Sequence, residues 1–158
     1  RIAAGIDTQP SSANGQGLLF KKYDDDRWGM MQWNIGRPIE TATDGTSNTI
    51  IILESAATPD RYNLRALVGP NSIGGAPWAI NGFEHRLRGS TFDGLTYGGR
   101  CPLNCTNGAS EAWSFHVGGI NVAMGDGSVK FVRETIDIDI FGRAVTAAGD
   151  ESLSSDQF

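Results

Sequence analysis

Asn121-Val122-Ala123-Met124-Gly125-Asp126-Gly127-Ser128-Val129-Lys130-Phe131-Val132 is the stretch that decides the fold of this chain. Two short runs rich in apolar and β-branched residues flank an Asp-Gly pair. Asp-Gly is among the strongest short hairpin signals, because both turn positions tolerate positive φ. The stretch predicts two antiparallel strands, at residues 121–124 and 129–132.

The reading extends outward from this hairpin. Upstream, residues 111–115 read as a further strand. Downstream, Ile136, Ile140, Ala144 and Ala147 stand near helical spacing and predict a short helix within 135–148. Thr49-Ile50-Ile51-Ile52-Leu53-Glu54 is rich in β-branched residues and reads as a buried strand. A turn precedes it, where Asp44 can accept backbone hydrogen bonds and Gly45 can take the left-handed conformation. Residues 28–33 suit another short strand, and residues 61–68 fit either a short helix or a strand. Residues 69–99 form a long Gly-rich stretch, and loops of that length in compact domains are often functional. Residues 1–16 read as an irregular lead-in and 149–158 as a frayed tail. Without an internal repeat or a linker, residues 1–158 read as one domain. The expected fold class is α+β or mainly β: an antiparallel sheet with short strands, long Gly-rich loops and little helix.

Composition narrows the function classes. The 21 glycines favour tight turns over long helices. A net charge of −5 argues against a nucleic-acid partner, because phosphate binding needs a basic footprint. The densest basic pairs, Lys21-Lys22 and Arg86 with Arg88, are too small to make a groove and read as solvated surface charge. No apolar run of ~18 residues is present to span a membrane. The chain opens Arg1-Ile2-Ala3-Ala4-Gly5 without a methionine or a signal peptide, as expected of a processed or trimmed product. Cys101 and Cys105 stand in a C-x3-C spacing. A zinc site shared with His85 and His116 would fit no common module. A local disulfide is the better reading, and it implies an oxidising compartment.

Three blocks then carry a resemblance. The first is Asp44-Gly45-Thr46-Ser47-Asn48-Thr49-Ile50, ending at Glu54. The second is Cys101-Pro102-Leu103-Asn104-Cys105-Thr106-Asn107. The third runs from Ser114-Phe115-His116-Val117-Gly118-Gly119-Ile120-Asn121-Val122 into Gly125-Asp126-Gly127-Ser128-Val129-Lys130-Phe131, with nine residues between His116 and Asp126. Together they resemble a large planctomycete family of unknown function, with type IV prepilin-like N-termini and a C-terminal His, nine residues, then Asp-Gly. The resemblance implies an exported, pilin- or pseudopilin-like protein with a β-rich head. This sequence departs from it by lacking the N-terminal hydrophobic helix, so any membrane contact would be through that missing helix. It departs again at Val117, where the family usually has Pro after the His.

Each candidate site has a chemical reading and a structural one. His116 with Asp126 as its orienting carboxylate would suit base catalysis, with Ser114 or Ser128 as nucleophile. The structural reading has His116 and Asp126 holding turns, alongside Asp44, Gly45, Asn48 and Gly127, and it is preferred. Asp24, Asp25 and Asp26 suggest a hard cation such as calcium, although consecutive aspartates on a strand would face opposite ways. Trp28 and Trp78 are candidates for a glycan-stacking surface, against a core role for the tryptophans. Acid pairs for glycoside cleavage, Glu54 with Asp44 or Glu84 with Asp93, depend on a separation in space that sequence does not give. The sequence supports a structural or binding role better than a catalytic one. The leading expectation is an extracellular, cell-surface or periplasmic assembly module whose partners are other protein subunits. A glycan- or solute-binding domain comes next. A hydrolase using His116 or an acidic pair is third.

Overall fold

The computed structural model of the chain describes residues 2–4, 6–7, 29–31, 36–71, 73, 85–108 and 111–147. Among these the strands are β1 (Ile2–Ala4), β2 (Ile6–Asp7), β3 (Ile50–Glu54), β4 (Arg61–Asn63), β5 (Ala66–Gly69), β6 (His85–Arg86), β7 (Gly119–Met124) and β8 (Val129–Arg133), and the helix is α1 (Ile138–Val145). The fold is α+β, with a central antiparallel sheet ordered β1-β3-β7-β8. β4 and β5 form a separate antiparallel hairpin, and β2 pairs with β6 in parallel.

Alternation along the strands sets the core. Ile120, Val122 and Met124 of β7 are buried on the same side as Ile50 and Leu53 of β3 and Val132 of β8. α1 packs Ile138, Phe141, Ala144 and Val145 against them, with Leu87, Leu103 and Ala112 in the same cluster. Full burial of a side chain such as Phe141 stabilises by roughly 1.5–3 kcal/mol. The helix begins where Asp137 caps it, its carboxylate accepting from the Asp139 N–H at 2.8 Å. Arg100 ties Asp137 and Asp139 together at 2.8 and 2.9 Å. This start sets the helix phase and corrects the expected face: Phe141, not Ile140, fills the core, and Ile140 is half-buried. Ala147 joins Met30 and Ala42 in a second cluster.

The hairpin at residues 121–132 forms as its sequence predicts. Only Gly127 has positive φ, at +85°. Its N–H donates to Met124 O at 3.0 Å, and Met124 N–H donates to Ser128 O at 2.8 Å. Asp126 keeps negative φ, so of the Asp-Gly pair only the glycine takes the left-handed conformation. Residues 111–115 are extended but make single bridges, Ala112 with Leu103 and Trp113 with Ser55, in place of a ladder. Residues 61–68 are a hairpin, with Leu64 at φ +51° in its turn.

Candidate functional site

The sequence blocks meet at the two ends of the β3–β7 pair. At one end, the 44–49 loop receives the hairpin tip. Asn48 Nδ2 donates to Asp44 O at 3.0 Å, and Gly45 adopts φ +95°. Gly125 N–H donates to Thr49 O at 2.9 Å and Asp126 N–H to Thr46 O at 3.1 Å. Lys130 Nζ donates to Ser47 O at 3.0 Å. The Asp126 carboxylate turns back on its own loop, accepting from Ser128 Oγ at 2.7 Å and Ser128 N at 2.9 Å. Those two donors hold its carboxyl below the usual aspartate range.

At the other end, the Glu54 carboxylate is the hub. Its Oε2 accepts from Asn121 N at 2.7 Å, and its Oε1 accepts from Asn121 Nδ2 at 3.0 Å. The His116 Nε2 lies 3.2 Å from the same Oε1. Burial raises the Glu54 pKa, but the side-chain and backbone donors of Asn121, with His116, together outweigh it and lower the carboxyl below 4.5.

His116 and Asp126 therefore do not form the pair that their spacing suggested. The six residues of β7 lie between them, and at ~3.4 Å per residue a strand of that length spans roughly 17–20 Å. The carboxylate beside His116 is Glu54, which lies 62 residues away in sequence. Nor is a nucleophile placed. Ser114 is buried, its Oγ donates to Gly119 O at 2.8 Å, and it accepts from His116 N at 3.1 Å. Ser128 belongs to the far end, on Asp126. Glu54 and Asp44 likewise sit at opposite ends of β3 and make no acid pair.

The loop that carries His116 is held from two sides. Arg65, in the β4–β5 turn, donates to Phe115 O at 2.9 Å and to His116 O at 2.7 Å. Asn104 lies inside the Cys101–Cys105 disulfide loop, at φ +62°. Its Oδ1 accepts from Ser114 N at 2.8 Å and its Nδ2 donates to Gly119 O at 3.1 Å. Cys101 and Cys105 are bonded to each other, so the zinc alternative has no thiolates to use. Among the described residues no three His, Cys, Asp or Glu side chains gather as a metal site.

Residues 3–139 match the profile of a family described as "Protein of unknown function (DUF1559)". The chain belongs to that family. No curated protein and no solved structure matches it.

In this DUF1559 chain the other candidates fall as follows. Asp24, Asp25, Asp26, Trp28, Trp78 and Glu84 lie outside the described residues, and of His85 only the backbone is described. Asp93 is exposed in a turn, where Thr91 Oγ1 and Leu95 N donate to it at 2.5 and 3.0 Å. Trp113 is buried and donates to Leu64 O at 3.2 Å, with Tyr62 and Phe115 packed on its ring at centroid distances of 5.2 and 4.7 Å. No helix among the described residues is long and apolar enough to cross a membrane.

Two features escaped the sequence reading. One is the Glu54 hub, which no local motif announces. The other is Glu111, fully buried, whose carboxylate oxygens meet no hydrogen-bond donor among the described residues. Burial pushes its pKa to about 8, against weaker opposition from Ser90 and Arg88.

Proposed function

We propose that this DUF1559 domain is an exported structural module that works by protein–protein association, in the manner of a pilin-like or pseudopilin head. One observation carries the reading. The segment that holds the third sequence block presents four exposed apolar side chains: Phe115 (59%), Val117 (90%), Val129 (69%) and Phe131 (42%). They stand on β8 and on a loop pinned by Arg65, Ser114 and Asn104, so little ordering is needed to use them. Exposed apolar groups on a rigid platform suit an interface. The Cys101–Cys105 disulfide supports an oxidising location: extracellular, cell-surface or periplasmic. The polar groups around His116 are consumed in holding its loop, which favours assembly over catalysis.

Sedimentation velocity on the disulfide-intact protein tests this, together with chemical cross-linking in the cells that export it. The wild type should associate, and Val117→Asp, at the most exposed of the four positions, should weaken association at an unchanged melting temperature. A protein that stays monomeric at every concentration, and cross-links to nothing in its native setting, would overturn the reading.

A further inference from the structure

We infer that the buried polar cluster of Arg61, Arg88, Ser90 and Glu111 is a binding site for one small oxyanion group, of the sulfate or phosphate class. The inference goes beyond the assembly reading above and does not depend on it.

Among the described residues, five buried side-chain nitrogen and oxygen atoms lack a hydrogen-bond partner: Arg61 Nε, Arg88 Nε, Ser90 Oγ and both carboxylate oxygens of Glu111. Buried polar groups are satisfied as a rule, and each exception needs a cause. These exceptions are not scattered. Ser90 and Arg88 are the side chains whose polar groups act on the Glu111 carboxyl. Ser90 bridges Tyr97 through the backbone, and Asn63 bridges Thr106, which brings Arg61 beside residues 106–108. Glu111 N–H donates to Gly108 O at 3.2 Å. At Gly108 the space of a side chain is taken by others: an added Cβ would lie 2.5 Å from the Tyr97 phenol oxygen and 3.4 Å from Arg61 Nε. Segments far apart in sequence thus deliver their polar atoms to one loop.

The chemistry of the cluster selects its ligand. Neither Arg61 nor Arg88 has an ion-pair partner among the described residues. Cations withdrawn from water need a counter-charge, and the guanidinium fork suits the oxygens of sulfate or phosphate. Glu111 sets the sign of the site. Burial keeps its proton on up to about pH 8. Protonated, it adds a donor and no charge, so the site offers two cations with the hydroxyls of Ser90, Tyr97 and Glu111. A metal cation is repelled by the two guanidiniums, and a neutral sugar leaves their charge uncompensated. An oxyanion meets both demands through charge-assisted hydrogen bonds. Arg61 and Arg88 are half-buried and Tyr97 is exposed, so the cluster lies just beneath the surface, and Tyr97 is the side chain that turns aside for entry.

Isothermal titration calorimetry with sodium sulfate, against sodium chloride of matched ionic strength, tests the site. Sulfate keeps its charge between pH 6 and pH 9, so any pH dependence belongs to the protein, whose ionisable groups at the cluster are Arg61, Arg88, Tyr97 and Glu111. The wild type should bind at pH 6, and Arg61→Gln and Arg88→Gln should each weaken binding about tenfold or more. Wild-type affinity should fall about tenfold by pH 9, because about one-tenth of Glu111 keeps its proton one unit above its pKa. Glu111→Gln keeps a donor and gains no charge, so it should bind alike at both pH values. A sulfated monosaccharide, titrated beside sodium sulfate, distinguishes the sources: binding of sodium sulfate assigns the site to a free anion, and binding of the sugar alone assigns it to a group carried on a glycan. Neither heat nor a rise in melting temperature with either probe at pH 6 overturns the site and leaves water as the occupant of the cluster. Binding that both arginine variants leave unchanged overturns it as well. Should those variants fail to fold, the pH comparison decides: wild type and Glu111→Gln losing affinity in parallel overturns the inference.

Discussion

The Glu54 carboxylate takes the place of a backbone acceptor for Asn121, whose N–H it receives at 2.7 Å where β3 parts from β7. The Glu54 backbone is engaged elsewhere, its carbonyl accepting from Trp113 N at 3.3 Å. A side chain thus continues a ladder that the main chain has left. Glu54→Ala should strand the Asn121 N–H and cost about 1–3 kcal/mol in urea unfolding. Glu54→Gln retains an acceptor oxygen and should cost less. Because the folded Glu54 pKa is lowered, its contribution is present above the ordinary value of 4.5 and lost as pH falls through the folded value. Glu54→Gln should therefore flatten part of the acid limb of the stability curve.

His116→Ala tests whether the imidazole holds the site or only decorates it. The ring is more than half exposed, and among the described residues its polar partner is Glu54. Exposed ion pairs contribute about 0–1 kcal/mol, so the variant should fold and lose no more than that. The loop itself is fixed by Arg65 through the backbone carbonyls of Phe115 and His116. Arg65→Ala should be the more damaging of the two, read as faster amide exchange across residues 114–118 in Arg65→Ala but not in His116→Ala.

These partnerships explain what the sequence could and could not reveal. The β7–β8 hairpin was legible because its determinants are local: an Asp-Gly turn between two short strands. What is not local is the support of its tip: Thr46 O accepts the Asp126 N–H from outside the hairpin. The C-x3-C disulfide was legible for the same local reason. The reading of 61–68 stayed open because its turn depends on Leu64 N–H finding Cys105 O at 2.7 Å, a contact from the disulfide loop. The spacing of His116 and Asp126 was visible, yet it encodes the length of the strand between two turns. The true neighbour of His116 comes from a different strand, and only tertiary pairing supplies it.

Asn104 is where the disulfide loop becomes useful to the site. It sits between Cys101 and Cys105 and reaches both Ser114 and Gly119. Reduction should cost about 2 kcal/mol on the loop-entropy account of so short a ring. Asn104→Ala should cost about 2–4 kcal/mol, since it removes two buried hydrogen bonds and leaves alanine at positive φ. Asn104→Gly relieves the backbone and should recover about 1 kcal/mol of that loss. Gly119, the acceptor in this network, has no room for a side chain: an added Cβ would strike Val132 O and come within 2.8 Å of the Phe131 ring. Gly119→Ala should therefore be among the most destabilising single changes, measured by thermal unfolding.

Glu111 gives the protein an alkaline limit. Its carboxyl is buried, no donor among the described residues reaches either oxygen in good hydrogen-bond geometry, and Ser90 and Arg88 offset only part of the burial. Folding raises its pKa from 4.5 to about 8, so between those values the folded state binds a proton that the unfolded state releases. The stability associated with that proton is full below about pH 4.5, declines as pH rises, and is gone above about pH 8. At 1.36 kcal/mol per pKa unit the decline is on the order of 5 kcal/mol. It opposes the trend set by the lowered carboxyls of Glu54, Asp126 and Asp137, which lose their contribution on the acid side. Glu111→Gln is neutral at every pH and close in shape. Its melting temperature should exceed that of the wild type at pH 8, and the gap should narrow toward pH 5. If the two proteins lose stability in parallel from pH 5 to pH 8, Glu111 is not the group responsible.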